Sequence, residues 1–142
     1  GIVVTTTLAV GAPRDIWAQS DIVGRWASPD QNSVIEIYQC GHEVCGRIAT
    51  LNEPLDDSGE VKVDLNNPDE ALRGLPILGM ELLTGFSLKK VGVYSGGTIY
   101  NPGNGKLYKA ILTLLDDGKL KIRGYIGTPA LGQTQLWVRS AY

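Results

Sequence analysis

Asp116-Asp117-Gly118 lies between two runs in which apolar and polar residues alternate, residues 106–115 and 119–126, and this pairing restricts the fold more than anything else in the chain. Aspartate followed by glycine supplies the positive φ that a tight hairpin turn requires, and alternation with a period of two marks a strand with one buried face. In the second run Lys119, Lys121 and Arg123 point one way while Leu120 and Ile122 point the other, so one face is wet. The same grammar recurs along the sequence. Residues 33–38 place Ile35 and Ile37 opposite Glu36, and residues 44–51 return after a short turn. Residues 89–94 and 98–100 flank Ser95-Gly96-Gly97, read as a turn, and Asn101-Pro102-Gly103-Asn104-Gly105 is turn chemistry throughout. A last strand covers residues 134–139. Residues 77–86 fit a strand or a short helix, and their two glycines favour strand or irregular structure. About eight strands result, joined mostly by sequential hairpins. That pattern predicts an all-β domain, a single antiparallel up-and-down barrel whose closure removes exposed edges. A two-sheet sandwich would give a similar pattern.

Composition supports one globular domain. The 142 residues include 18 glycines and 7 prolines, which suits many tight turns, with 43% hydrophobic and 20% charged residues. A formal charge of -2 disfavours nucleic acid as a partner, since such binders gather a basic excess on one face. No run reaches the roughly 18 to 20 apolar residues of a transmembrane span. Residues 2–12 carry no charge, and Ala18-Gln19-Ser20 is a small-x-small triplet just before Asp21. Residues 1–20 therefore read as the remainder of a secretory signal peptide or an N-terminal extension, and residues 21–142 as the barrel domain. An edge strand is the competing reading of the first segment.

Cys40 and Cys45 flank a four-residue connection, Gly41-His42-Glu43-Val44, between two strand-like runs. This spacing suits a disulfide across a hairpin, a bond that persists in the periplasm or outside the cell. A free thiol pair and a zinc site using Cys40, His42 and Cys45 compete with it, the latter lacking a fourth ligand.

Catalysis finds little support. The single histidine, His42, lies in the cysteine turn, no nucleophile elbow precedes it, and no glycine-rich phosphate loop or cofactor motif occurs. The chain is read as a non-enzyme without a cofactor. Residues 52–76 form a long acidic connection holding the densest polar constellation, Asp64, Asn66, Asn67, Asp69 and Arg73. Side-chain-to-backbone bonds there would fix a turn, with Arg73 reaching back to Asp64 or Asp69. A recognition patch at the barrel mouth, or a calcium site from Asp64, Asn66 and Asp69, are the alternatives.

Gly24-Arg25-Trp26 opens the first strand and Trp137-Val138-Arg139 closes the last. This combination resembles the lipocalins, where a G-x-W tryptophan closes one barrel end beneath a basic residue of the final strand. The resemblance casts Gly24, Trp26, Trp137 and Arg139 as barrel-closing residues. A longer series of motifs is more specific. Ile35-Glu36-Ile37-Tyr38, Cys40-Gly41-x-x-x-Cys45-Gly46-Arg47-Ile48 and Asp64-x-Asn66-Asn67-Pro68-Asp69-x-x-Leu72-Arg73 come first. Gly96-Gly97-x-Ile99-Tyr100-Asn101-Pro102, Gly105-Lys106-x-Tyr108 and Arg123-Gly124-Tyr125-Ile126-Gly127 follow. In order and number they resemble the domain-of-unknown-function family 2147 of bacterial exported proteins. The resemblance implies a lipocalin-like barrel, periplasmic or secreted, with no established activity. Val138 stands where many relatives carry a hydroxyl residue.

A barrel of about eight strands holds side chains or one small ligand. Burying roughly 300 Å² of an acyl chain gains about 7.5 kcal/mol, against an association cost of at least about 4 kcal/mol. A polar anchor is therefore expected beside a lipid or fatty-acid-like ligand, and Tyr38, Arg47, Tyr100, Tyr108, Arg123 and Tyr125 are the candidates. The sequence thus points to a carrier of a small apolar molecule, with a filled structural or protein-interaction barrel at the cell envelope as its rival.

Overall fold

A computed structural model describes residues 21–30 and 32–141, so the expected signal segment lies outside the described residues. Eight strands follow one another: β1 (Gly24–Ala27), β2 (Ser33–Cys40), β3 (Glu43–Leu51), β4 (Glu81–Lys90), β5 (Val93–Asn101), β6 (Lys106–Leu114), β7 (Leu120–Tyr125) and β8 (Gln133–Arg139). Each pairs antiparallel with the next and β8 returns to β1, which makes a closed barrel rather than a sandwich. Helical structure among the described residues is confined to two single 3-10 turns, Glu70–Leu72 and Pro129–Leu131. No helix among them is long and apolar enough to cross a membrane.

The period-two alternation does what it predicts. Ile35 and Ile37, Val44 and Ile48, Leu112, Leu120, Ile122 and Trp137 all turn inward and are buried. Each such side chain contributes about 1.5 to 3 kcal/mol by leaving water. Asp116-Asp117-Gly118 joins β6 to β7, with Gly118 at φ 88°.

Ser95-Gly96-Gly97 is not a turn. The β4–β5 connection is Val91-Gly92, with Gly92 at φ 75°, and the glycine pair sits inside β5. There the pairing register slips between Tyr94 and Gly97, opposite Gly85. What calls for glycine at position 97 is the fully buried ring of Phe86 on β4. A Cβ on Gly97 would lie 2.6 Å from that ring and overlap the Thr84 carbonyl oxygen. Glycine here makes room for an aromatic core residue, and the strand continues through it. In the ambiguous stretch, β4 begins at Glu81 and residues 77–80 belong to the long connection.

The seam between the first and last strands is short. β1 meets β8 at two positions, Trp26 opposite Arg139 and Ala27 opposite Val138. Side chains reinforce it. The Arg139 guanidinium lies 4.2 Å from the Trp26 ring centroid and donates to the carbonyls of Val23 (2.8 Å) and Asp21 (2.6 Å). The Trp26 indole donates to the Ile22 carbonyl at 2.9 Å, and the Tyr94 hydroxyl to the Asp21 carboxylate at 2.6 Å. Gly24 is required beneath this arrangement: at φ 133°, a Cβ there would stand 2.6 Å from Arg139 Nη1. At the same end Cys40 and Cys45 form a disulfide with a Cα–Cα distance of 5.9 Å. It crosses the β2–β3 hairpin diagonally, since Cys40 faces Glu43 and Cys45 faces Tyr38.

Two outcomes test this packing. Gly97→Ala is expected to lower stability by about 1 to 3 kcal/mol through overpacking against Phe86 and Thr84, read as a lower urea midpoint. Arg139→Lys keeps the charge but loses the planar fork and its stacking on Trp26, and is expected to cost about 1 to 3 kcal/mol by the same measurement.

Candidate functional site

Towards the end opposite Arg139 the barrel does not fill. A cavity of about 730 Å³ opens there, within the size range of small-molecule sites. Its deeper walls are apolar and come from Ile35, Ile48, Ile99, Ile122 and Trp137. Gly124 of β7 leaves the wall without a side chain, and a Cβ there would have its nearest neighbours at ordinary contact distance, Tyr108 Cβ at 3.8 Å, Ile99 Cγ2 at 3.9 Å and the Lys109 carbonyl oxygen at 4.0 Å. The upper walls are polar, with Ser28, Asp30 and Asn32 from the β1–β2 loop, Asn101 and Asn104 from the β5–β6 turn, Tyr108 from β6, and Gln133 and Gln135 from β8.

Of the residues expected to anchor a ligand, Tyr100, Tyr108 and Tyr125 line this cavity. Tyr38, Arg47 and Arg123 do not. Tyr38 shares the outward face of β2 with Glu36, because Ile35 and Ile37 hold the inward one. Its hydroxyl donates to the Glu81 carboxylate, and the Arg47 guanidinium lies 4.7 Å from its ring centroid while pairing with Glu36 at 2.8 Å. That hydrogen bond to Glu81 is the main cause holding the Tyr38 phenol above its ordinary pKa. Arg123 lies on the outward face of β7 with Lys121. It donates to the Pro129 carbonyl through Nε (3.1 Å) and Nη2 (2.7 Å), and to Thr134 Oγ1 at 3.0 Å. These bonds hold the β7–β8 loop, whose Leu131 and Gly132 reach the cavity rim. Trp137 belongs to the cavity wall, one inward position above Arg139, while Trp26 with Gly24 and Arg139 forms the closed end.

The polar constellation of the long connection straps that segment to the mouth. Asp64, 2% exposed, accepts from the Tyr100 hydroxyl at 2.9 Å and from Asn67 Nδ2 at 2.8 Å. Asn66 Nδ2 donates to the carbonyls of Pro102 (3.0 Å) and Gly103 (3.1 Å). The fit is close: any Cβ on Gly105 would overlap the Asn66 carbonyl. Asp69 caps the Glu70–Leu72 turn by accepting from Ala71 N at 3.0 Å. Arg73 reaches back, but to the Asn67 carbonyl at 2.6 Å rather than to Asp64 or Asp69. Of the oxygens considered for calcium, those of Asp64 accept from Tyr100 and Asn67, and Asp69 Oδ1 accepts from Ala71 N. The sulfur atoms considered for zinc are bonded to each other. Through this strap Leu51 and Ile77 become part of the cavity wall. Removal from water, and then the Asp64 hydrogen bond and charge, push the Tyr100 phenol from 10.0 up to about 12.

Gln133 and Gln135 were not among the expected site residues, although a signal for them existed. They share the β8 face of Trp137 and Arg139 at a spacing of two, so an inward Trp137 places both inside. Asn101 and Asn104 belong to the stretch that reads as turn chemistry and Asp30 and Asn32 to a loop with no motif, and the place of all four at the rim follows only from the closed barrel.

A family profile described as "Uncharacterized protein conserved in bacteria (DUF2147)" matches residues 24–139, the span from the first strand to the last. Among solved structures the chain resembles one titled "Protein HP1028 from the human pathogen Helicobacter pylori belongs to the lipocalin family". The TM-score is 0.74 at 21% identity, covering 87% of this chain and 85% of that one, a likeness of fold. No curated protein matches.

The strap carries a pH signature. A phenol whose folded pKa is raised stabilises the fold fully below pH 10.0, and that contribution is lost as pH rises towards about 12. Tyr100→Phe is expected to remove this share of the alkaline loss, measured as the slope of urea stability against pH, and to delete a late-titrating phenolate from the ultraviolet spectrum.

Proposed function

We propose a ligand-binding role for this protein, which belongs to the DUF2147 family of proteins conserved in bacteria. It is an exported carrier that holds a small apolar or amphiphilic molecule inside its barrel. The observation that carries this reading is the cavity of about 730 Å³, walled at depth by Ile35, Ile48, Ile122 and Trp137 and open at the end away from Arg139. An apolar base beneath a ring of amides and hydroxyls is the usual build of a small-molecule site, where the base supplies affinity and the polar groups fix orientation. The filled-barrel alternative has less support, since Gly124 places no side chain where a filled interior would need one.

The reading is one of binding rather than turnover. His42 stands exposed on the β2–β3 turn, at the barrel end away from the cavity. Export is supported by the Cys40–Cys45 disulfide, because such bonds persist in oxidising compartments.

Native mass spectrometry of the protein purified without lipid stripping is the direct test. A bound mass is expected on the wild type and not on Gly124→Phe, whose ring would occupy the cavity while the barrel remains intact. A bare wild-type mass, with no rise in Tm on adding glycerol monolaurate, would overturn the carrier reading.

A further inference from the structure

The lining of the cavity differs in charge from the outside of the barrel. Among the described lining residues Asp30 bears the one formal charge, while Arg47 and Arg123 are committed to the outer surface. Asp30 accepts from the Asn32 backbone N–H at 3.1 Å and from the Ser28 hydroxyl at 2.9 Å. These bonds hold its carboxyl below its ordinary pKa, so the mouth keeps a negative charge.

The remaining polar groups offer neutral hydrogen bonds. The Gln135 carbonyl oxygen accepts from the Trp137 indole at 3.0 Å, which leaves its amide nitrogen as a donor above the apolar base. The Tyr108 hydroxyl accepts from Asn104 Nδ2 at 2.8 Å, which leaves its hydrogen to donate. Gln133, opposite Gly124, adds a donor and an acceptor. A carboxylate or phosphate at this ring would meet Asp30 and no cation, so whatever hydration it gave up would go uncompensated. A hydroxyl or amide head group would find partners for its donors and acceptors alike.

Resting on the ligand-binding reading above, we infer that the cavity takes a neutral amphiphile, an apolar body bearing an uncharged hydroxyl or amide head group, and rejects the acidic amphiphile of equal chain length. The polar ring then acts as a charge filter. Chain length is judged by the apolar base, and the head group by amides that pair with neutral groups better than with anions.

The test uses the full chain and two probes with the same twelve-carbon acyl chain, glycerol monolaurate and sodium laurate, competing against a fluorescent apolar dye near pH 8, where a carboxylic acid of pKa about 4 to 5 is ionised. Monolaurate is expected to bind at least about tenfold more tightly, a difference well within what an unpaired desolvated charge produces. Equal or tighter laurate binding overturns the charge filter and leaves the carrier reading intact, whereas failure of both probes overturns the two together. Gln133→Arg supplies the missing cation and is expected to raise laurate affinity about tenfold with little change for monolaurate. Asp30→Asn, which keeps the shape of the loop, is expected to move laurate in the same direction. Laurate affinity unmoved in both folded variants overturns the inference.

Discussion

The contact between Arg139 and Trp26 decides whether this sheet is a barrel at all. Six of the eight strand junctions lie between strands joined by short connections and β3 meets β4 across the long connection, but the junction of β1 with β8 is the shortest, paired at only two positions. A guanidinium that stacks on an indole and donates to two carbonyls of the preceding segment compensates for the backbone pairing this junction lacks. Trp26 is fully buried in the core at this end, and the cavity opens at the other. The absence of a side chain on Gly24 belongs to the same contact, since the guanidinium runs where that side chain would stand.

At the other end the barrel is finished by a different device. The acidic connection leaves most of its large apolar residues exposed, among them Leu55, Val61, Leu65 and Leu75, and is held by directed hydrogen bonds, Asp64 to Tyr100 and Asn66 to the β5–β6 turn. Asn67 and Arg73 brace Asp64 from behind. A buried carboxylate is tolerated because its oxygens are satisfied by a phenol and an amide. Two motifs far apart in sequence, Asn66-Asn67-Pro68-Asp69 and Tyr100-Asn101-Pro102, therefore make one structural unit. This reach across the mouth ties the long connection to the β5–β6 turn.

Much of the fold is legible in the sequence because period-two alternation and turn residues are local signals. Asp117-Gly118 and the alternation of residues 119–126 specify the β6–β7 hairpin without reference to anything distant. Where local signals mislead, a distant residue is the reason. Gly96-Gly97 resembles a turn until the ring of Phe86, eleven positions from Gly97, is laid across it. The candidate site was legible in part. Tyr108 is in phase with Ala110 and Leu112 and so points inward, whereas Tyr38 is in phase with Glu36 and Arg123 with Lys121, which already places both outside. The rim amides escaped notice because no pattern within one loop says which other loops will surround it.

The shortness of the β1–β8 junction has an effect higher up. β1 ends at Ala27, so the stretch of β8 from Gln133 to Leu136 has β7 on one side and no strand on the other. All four of those residues are exposed. Along this length the β1–β2 loop stands in for a wall. A guest in such a vessel is confined by strands around most of its girth and by a single loop over the rest, so its width is limited less strictly than its depth.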